Sequence, residues 1–172
     1  QFYCKELTNY CGPFGSKFRP GLFAVSINVP FGLVTGASAE GRKSMKPLAD
    51  GGISPAAGTE REGLLAVIKS AARIDNLLAT NGTLLNVRLS PTIFDREEEM
   101  IKLVSLLKSY NEIGGYHIQF NVIDNKVLRK AQKNPEEYKG LMVRVAGYSA
   151  YFVELNPEVQ EDIISRTIHG SL

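Results

Sequence analysis

Hydrophobic positions recur at regular spacing through the middle of the chain and predict alternating helices and strands. At 62–78 apolar residues return every three or four positions, the spacing of a helix that buries one face. An Asn-Gly pair ends that helix, and TLLNVRLS at 83–90 has the composition of a strand. The same order returns as a helix at 95–110 and the strand YHIQFNVI at 116–123.

The segment before the first long helix is less regular. Its pattern predicts a short helix at 2–9 and a strand at 22–29 that stops at Pro30. A long glycine-rich stretch at 30–63 follows, and a loop of that length in a folded domain usually has a functional role.

The C-terminal third predicts a helix, two short strands and a last helix. The first helix covers 124–138, and the strands are VRVA at 143–146 and YFVEL at 151–155. Asn156 is the expected N-cap of the last helix, which has a proline in its first turn and runs to about His169.

Alternation of strands and helices favours an α/β architecture with a parallel or mixed sheet. We expect one domain over 1–172, with a loop-rich segment at 1–60, strand–helix units at 61–140, and a loop with a terminal helix at 141–172. About four or five strands are too few to close a barrel, so the chain is expected to need a partner sheet.

Composition and charge exclude several classes of protein. The 172 residues are 44% hydrophobic with a net charge of +2, and they contain no Lys/Arg cluster that would bind nucleic acid. The sequence has no apolar run of about 18 residues and no signal-peptide pattern, so no membrane partner and a cytoplasmic location are expected. Cys4 and Cys11 are expected to be free thiols, and no metal site is expected because His117 and His169 are distant in sequence.

The run VRVAGYSAYF at 143–152 places Gly147 inside an otherwise strand-forming segment. An interior glycine weakens a strand, because it adds backbone entropy and leaves a gap in the packing. Gly147 therefore marks a turn or bulge, or it has a chemical role.

Gly147 and its surroundings resemble the C-terminal signature of the glycyl radical enzymes, which include pyruvate formate-lyase and the glycerol and hydroxyproline dehydratases. The resemblance continues upstream in family order and covers nearly the whole chain. The segments that carry it are NVPFGLVTGASAEGRKSMKPLADGGISPAAG, NGTLLNVRLSP and GGYHIQFNVID. Alanine before the glycine and Ser-Ala after Tyr148 are similar to the dehydratase and lyase (eliminase) branch.

The resemblance implies that Gly147 carries a stable Cα radical. A β-carbon would crowd the planar radical and block the approach of a cysteine sulfur. The resemblance also implies the fold, the C-terminal part of a ten-stranded α/β barrel with the radical loop between short strands and a C-terminal helix. The residues that would hold and shield the loop are Arg144, Val145, Ala146, Tyr148 and Ser149.

The resemblance further implies which molecules act with this chain. A radical S-adenosylmethionine activating enzyme with a 4Fe-4S cluster would install the radical, and the chain itself would bind no cofactor. In this family a cysteine on a separate loop then takes the radical and acts on the substrate. Neither Cys4 nor Cys11 matches that loop. The chain is therefore expected to need a cysteine-bearing large subunit or the remainder of the enzyme, and to be inactive alone.

The implied reaction is elimination of water, amine or sulfite from a small-molecule substrate, in an oligomeric enzyme. The chain would be an excised C-terminus or the small subunit of a split enzyme. Two alternatives stay open: a repair module that replaces an oxygen-cleaved C-terminus, and a non-catalytic binding module derived from the family.

Four other features have simpler interpretations. Arg19, with Phe23 nearby, resembles a position that meets an anionic substrate group in sulfonate lyases, and a structural loop arginine is the alternative. His117 is expected to be a hydrogen-bonded core histidine. GRKSMKP at 41–47 lacks the context of a phosphate-binding loop and is expected to be structural. The acidic run at 95–100 is expected to be a solvated helix start.

Overall fold

Two small sheets carry the strands of the computed structural model, which describes residues 1–171. Strand β1 (Asn86–Leu89) is central in the first sheet and pairs in parallel with β2 (Gln119–Val122) and β5 (Ile168–His169). Strands β3 (Met142–Arg144) and β4 (Ser149–Tyr151) form a separate antiparallel hairpin. Parallel strands need long crossover connections, and the chain supplies them as helices.

Within residues 1–171, six α-helices surround these strands, in three structural contexts. One pair is short and lies in the N-terminal third, the next pair packs near β1, and the last pair packs near the hairpin. The helices are α1 (Phe2–Leu7), α2 (Asn28–Leu33), α3 (Gly63–Ala71), α4 (Glu97–Glu112), α5 (Asn125–Lys133) and α6 (Pro157–Ser165). Single 3₁₀ turns occupy Pro91–Asp95, Pro135–Tyr138 and Phe152–Glu154.

The apolar side chains form two separate clusters. The first joins β1 to α3 and α4, with Leu85 and Leu89 fully buried. The second joins α5 and α6 to the hairpin, with Phe152 and Ile163 fully buried. Because each fully buried large apolar side chain stabilises by about 1.5–3 kcal/mol, both clusters are substantial cores.

Arg88 connects the two cores through hydrogen bonds. Its guanidinium is buried and donates to the carbonyls of Ile163 and Ile164 in α6, at 3.0 and 3.2 Å. It also donates to the carbonyl of Ile123, just after β2, at 3.2 Å. Burial lowers the pKa of Arg88 to about 10, and the nearby charge of Arg166 contributes to this shift. Arg88 is thus a cation at the C-terminal end of a helix, where the helix dipole favours one.

The predicted α/β class and the parallel pairing are confirmed, but the strand at 22–29 is wrong. Only Leu22 pairs there, in an isolated bridge with Thr83. Val25 has a φ of +53°, and the turn that it starts leads directly into α2. Pro30 lies inside α2 instead of ending a strand, which its first-turn position permits.

Other helix ends also differ from the prediction. α3 ends at Ala71 rather than 78, and Pro135 converts the end of the predicted helix at 124–138 to a 3₁₀ turn. The last helix ends at Ser165, and β5 follows because its residues pair with β1. Asn156 is the N-cap residue of that helix without a side-chain capping bond.

Replacing Gly52 with alanine is expected to destabilise the fold by about 3 kcal/mol or more. Gly52 has a φ of +141°, and an added Cβ would lie 2.2 Å from the carbonyl oxygen of Leu22. That oxygen cannot move freely, because it accepts a hydrogen bond from the amide of Leu84. The matched control is Gly36→Ala, where a Cβ meets open space. Urea unfolding followed by circular dichroism measures both variants, and equal stability would contradict this packing.

Candidate functional site

The loop between β3 and β4 presents Gly147 on a buried base. The amide of Val145 donates to the carbonyl of Tyr148 at 2.9 Å and closes a tight turn. Val145 and Ala146 are buried, whereas Gly147 is exposed. Gly147 has a φ of +84°, a left-handed conformation that costs glycine little and strains other residues. A Cβ at this position would also lie 3.0 Å from Cδ1 of Leu84.

The base of this loop is held by a cluster of four buried or half-buried polar residues, here called the loop anchor: Asp50, Asn86, Asp162 and Arg166. The carbonyl of Val145 accepts hydrogen bonds from Nη1 of Arg166 at 2.7 Å and from Nδ2 of Asn86 at 3.3 Å. Three segments that are distant in sequence therefore meet at one backbone oxygen.

Charge pairing holds the loop anchor together. Nε of Arg166 lies 3.1 Å from Oδ2 of Asp50, and Nη2 lies 2.8 Å from Oδ2 of Asp162. Asn86 adds a hydrogen bond from Nδ2 to the same oxygen of Asp50, at 2.7 Å. Burial raises the pKa of Asp50, and the attraction of Arg166 offsets only part of that effect. Two nearly buried carboxylates thus pair with different nitrogen atoms of one guanidinium.

Polar side chains of β2 contact the hairpin from the other side. Oε1 of Gln119 accepts from the amide of Gly147 at 3.3 Å and from Nη2 of Arg144 at 3.1 Å. Nη1 of Arg144 also donates to Oγ of Ser149 at 3.1 Å, and its carbonyl accepts from Nδ2 of Asn121 at 3.1 Å. Arg144 and Ser149 therefore support the loop from the two strands that flank it.

A cavity of about 450 Å³ opens beside the loop anchor. One wall is the polar face of β1 and β2 with Arg144, and the other is the segment at 40–61. Most of GRKSMKP at 41–47 lines this cavity, and its Arg42 is buried. Arg42 holds the segment by donating to the carbonyl of Lys46 at 2.8 Å and to that of Gly36. The structural role expected for these residues agrees with this bonding.

The expectation for His117 is wrong, and the expectation for the acidic run fails at one residue. His117 is only half-buried, and its buried Nδ1 has no hydrogen-bond partner, so it is not a hydrogen-bonded core histidine. Burial and the charge of Arg144 lower the pKa of His117. Glu99, in the acidic run, is buried rather than solvated and pairs with Lys102 at 2.9 Å. The other residues of the run, 95–98 and Met100, are exposed and lead into the first turn of α4, so the expected solvated helix start holds except at Glu99.

The remaining candidate residues lie away from the loop anchor. Arg19 and Phe23 are exposed and do not line the cavity. Cys4 is buried, Cys11 is exposed, and both are free thiols as expected. Over residues 1–171, no three His, Cys, Asp or Glu side chains are grouped so that they could hold a metal ion. None of the helices described is long and apolar enough to span a membrane.

Sequence reasoning identified the loop but missed the residues that hold it, among them Gln119, Asn86, Asp50 and Arg166. One signal was available in β2. Gln119 and Asn121 are two apart in a strand and so lie on one face, and buried amides there require polar partners. Nothing in the sequence indicates which partners those are.

Gly147 is thus an exposed glycine in a left-handed turn on a buried, hydrogen-bonded base, a conformation that favours glycine over other residues. The family model described as "Glycine radical" matches residues 49–153, and the chain belongs to this family of glycyl radical enzymes.

The relatives include dehydratases and a decarboxylase. The chain is 43% identical to "Probable dehydratase YbiW" of Escherichia coli (strain K12), over 98% of this chain and 22% of that protein. It is 42% identical to "4-hydroxyphenylacetate decarboxylase glycyl radical subunit" of Clostridium scatologenes, over 96% of this chain and 18% of that protein.

Among solved structures, the glycerol-bound B12-independent glycerol dehydratase of Clostridium butyricum matches with a TM-score of 0.93 and 49% identity. That match covers 98% of this chain and 21% of the dehydratase. The chain thus spans about a fifth of the length of the relatives that it matches.

Replacing Arg166 with methionine is expected to lower the free energy of unfolding by about 3–5 kcal/mol. The substitution leaves two carboxylates without their cation and removes a donor from the carbonyl of Val145. The matched control is Arg129→Met, which breaks the exposed ion pair with Glu161 and should change stability much less. Chemical denaturation of both variants tests this ranking, and equal losses would show that the loop anchor contributes no more than a surface pair.

Proposed function

We propose that this chain stores a glycyl radical on Gly147 as a component of a glycyl radical eliminase. The observation that carries the proposal is the exposed, left-handed Gly147 on a buried base, inside the segment that matches the family. Exposure gives an activating enzyme access to Cα, and the absence of a Cβ permits the conformational change that a planar radical needs. The support comes from geometry and family membership together.

The proposed chemistry begins with hydrogen-atom transfer. A radical S-adenosylmethionine activating enzyme, which carries the 4Fe-4S cluster itself, removes one hydrogen atom from Cα of Gly147. The radical then passes to a cysteine, whose S–H hydrogen returns to Cα and leaves a thiyl radical. The thiyl radical abstracts hydrogen from the substrate. This chain supplies the radical store, and Arg144, Val145, Ala146, Tyr148 and Ser149 hold and shield its loop.

The cysteine and most of the substrate site belong to the part of the enzyme that this chain does not contain. Cys4 is buried and Cys11 does not match the family's cysteine loop, so a large subunit or the remainder of the enzyme supplies the thiol. In that assembly the strands described here join a ten-stranded barrel. Arg19 and Phe23 are exposed toward a surface that the missing part would cover, where they would meet the substrate.

The N-terminal third supports assembly with a larger partner. Phe14 is 99% exposed and Val34 is 84% exposed, and other large apolar side chains between them are also open to solvent. A concentration of exposed large apolar side chains in one segment is typical of an interaction site. The cysteine-bearing part of the enzyme is the partner that the proposed chemistry requires.

The proposed reaction class is loss of water or another leaving group from a small substrate. Relatives that are named dehydratases support it. Radical decarboxylation is a second candidate, because a relative of similar identity is named as a decarboxylase subunit. The repair module and the binding module are the remaining alternatives to a subunit that takes part in turnover.

Activation of the chain should give an organic radical on Gly147. The test incubates the chain anaerobically with a cognate activating enzyme, reductant and S-adenosylmethionine, and records electron paramagnetic resonance spectra. The expected signal is a doublet from the remaining α-hydrogen, which collapses when glycine is deuterated at Cα. Gly147→Ala should lose the doublet, and Gly140→Ala should keep it because a Cβ at Gly140 meets open space.

Two outcomes would contradict the proposal. A doublet that persists in Gly147→Ala would place the radical elsewhere. No signal, with an activating enzyme that works on its own substrate protein, would favour the binding module.

Turnover only after addition of the cysteine-bearing chain would separate a split-enzyme subunit from an autonomous enzyme.

A further inference from the structure

We propose that Gln119 is a positioning residue that stabilises the radical on Gly147 through its amide hydrogen bond. The inference rests on the proposed function, since it assigns a partner to the residue that stores the radical. Gln119 lies on β2, outside the loop and 28 positions before Gly147 in sequence. The carbonyl oxygen of its side chain accepts from the amide of Gly147 at 3.3 Å.

Only one orientation of the Gln119 side-chain amide satisfies its hydrogen-bond partners. Its Oε1 accepts from Nη2 of Arg144 as well as from Gly147, and its Nε2 donates to Oδ1 of Asn86. Rotating the amide by half a turn would place NH₂ against two donors and an oxygen against an acceptor. Asn86 is fixed in turn, because its own NH₂ donates to Asp50 and to the carbonyl of Val145.

Gln119 also projects from a buried, paired strand. It is 9% exposed, pairs with Asn86 in the parallel sheet, and donates its backbone amide to the carbonyl of Leu85 at 2.9 Å. Gly147, by contrast, sits at the exposed tip of a turn. The backbone of the acceptor residue is therefore held by the sheet and not by the loop that carries the glycine.

Loss of the α-hydrogen changes the strength of this bond. In a glycyl radical the lone pair of the amide nitrogen delocalises toward the half-filled Cα orbital, and the nitrogen gains positive character. Its N–H then becomes a stronger donor. A hydrogen bond donated by a group with more positive charge is shorter and stronger. The distance of 3.3 Å is longer than usual for N–H···O, so the bond has room to shorten. An acceptor at this place stabilises the radical more than the closed-shell glycine.

The test compares Gln119→Leu, which removes the acceptor, with Gln119→Glu, which keeps one. The chain is assembled with its cysteine-bearing partner and activated anaerobically. Pulsed electron–nuclear double resonance in H₂O and D₂O then measures the coupling of the exchangeable amide proton on Gly147. We expect Gln119→Leu to change this coupling and to shorten the radical lifetime without substrate about three- to tenfold, the effect of one hydrogen bond. Gln119→Glu keeps an acceptor for the Gly147 amide but loses the donor to Oδ1 of Asn86, so its coupling should stay closer to that of wild type than the coupling of Gln119→Leu does.

Gln160→Leu is the matched control for a purely structural glutamine. Nε2 of Gln160 donates to the carbonyls of Phe152 and Leu155, at 3.0 and 2.9 Å, and has no bond to Gly147. This variant should leave the amide coupling and the radical lifetime unchanged. Equal effects of Gln119→Leu and Gln160→Leu would overturn the proposal.

Amide hydrogen exchange tests the same contact without any radical. In the wild-type protein the Gly147 amide should exchange about three- to tenfold more slowly than in Gln119→Leu. Exchange at the rate of an unprotected amide in wild type would overturn the proposal, even if Gln119→Leu failed to fold. A wild-type protein with a protected amide but no radical after competent activation would instead refute the proposed function alone.

Discussion

The buried guanidinium of Arg166 is the interaction on which the geometry of the glycine loop depends. A buried cation is costly unless it is paired, and Arg166 is paired with Asp50 and Asp162. Those two ion pairs set the plane of the guanidinium, and its Nη1 then points at the carbonyl of Val145. The position of the loop base is thus a consequence of neutralising a charge in the interior. The loop itself supplies only the acceptor.

A second buried arginine, Arg88, fixes the position of the two apolar cores relative to each other. The two apolar cores lie on different sets of elements, and Arg88 reaches from β1 to the last carbonyls of α6 and to the end of β2. Apolar packing has no strong directional preference, whereas these hydrogen bonds have one favourable geometry. Arg88 therefore fixes how α6 meets β1. Because Arg166 directly follows α6, the same bonds also place the loop anchor.

The sequence was most informative where structure depends on neighbours along the chain. Periodicity located the core of α3, α4 and β1, and family motifs located Gly147. The strand predicted from the hydrophobic pattern at 22–29 was wrong. Alternating apolar residues there match a strand, but a positive φ at Val25 turns the chain into α2. That turn depends on contacts with the segments around Gly51 and Leu84, which local pattern does not contain.

The loop anchor was also hard to predict, because it depends on contacts between segments that are distant in sequence. Asp50, Asn86 and Arg166 carry no local signature, and each looks like an ordinary polar residue in its own segment. Their roles arise because β1 and β5 pair in parallel and bring residues about 80 positions apart to one side of the sheet. A hydrogen bond to a residue so distant in sequence can be read only from the assembled fold.

The proposed function places opposite demands on the loop at residues two positions apart. The carbonyl of Val145 has two donors from the loop anchor, so the base of the turn resists displacement. Gly147 is exposed and has no Cβ, so its backbone can change conformation when Cα becomes planar. Between them Ala146 is buried and small, so the change is confined to the tip. Under the proposed function, an activating enzyme reaches Gly147 and the glycine then meets a cysteine of another part of the enzyme. A fixed base with a free tip suits both steps, because a uniformly mobile loop would lose its register and a uniformly rigid one could not open.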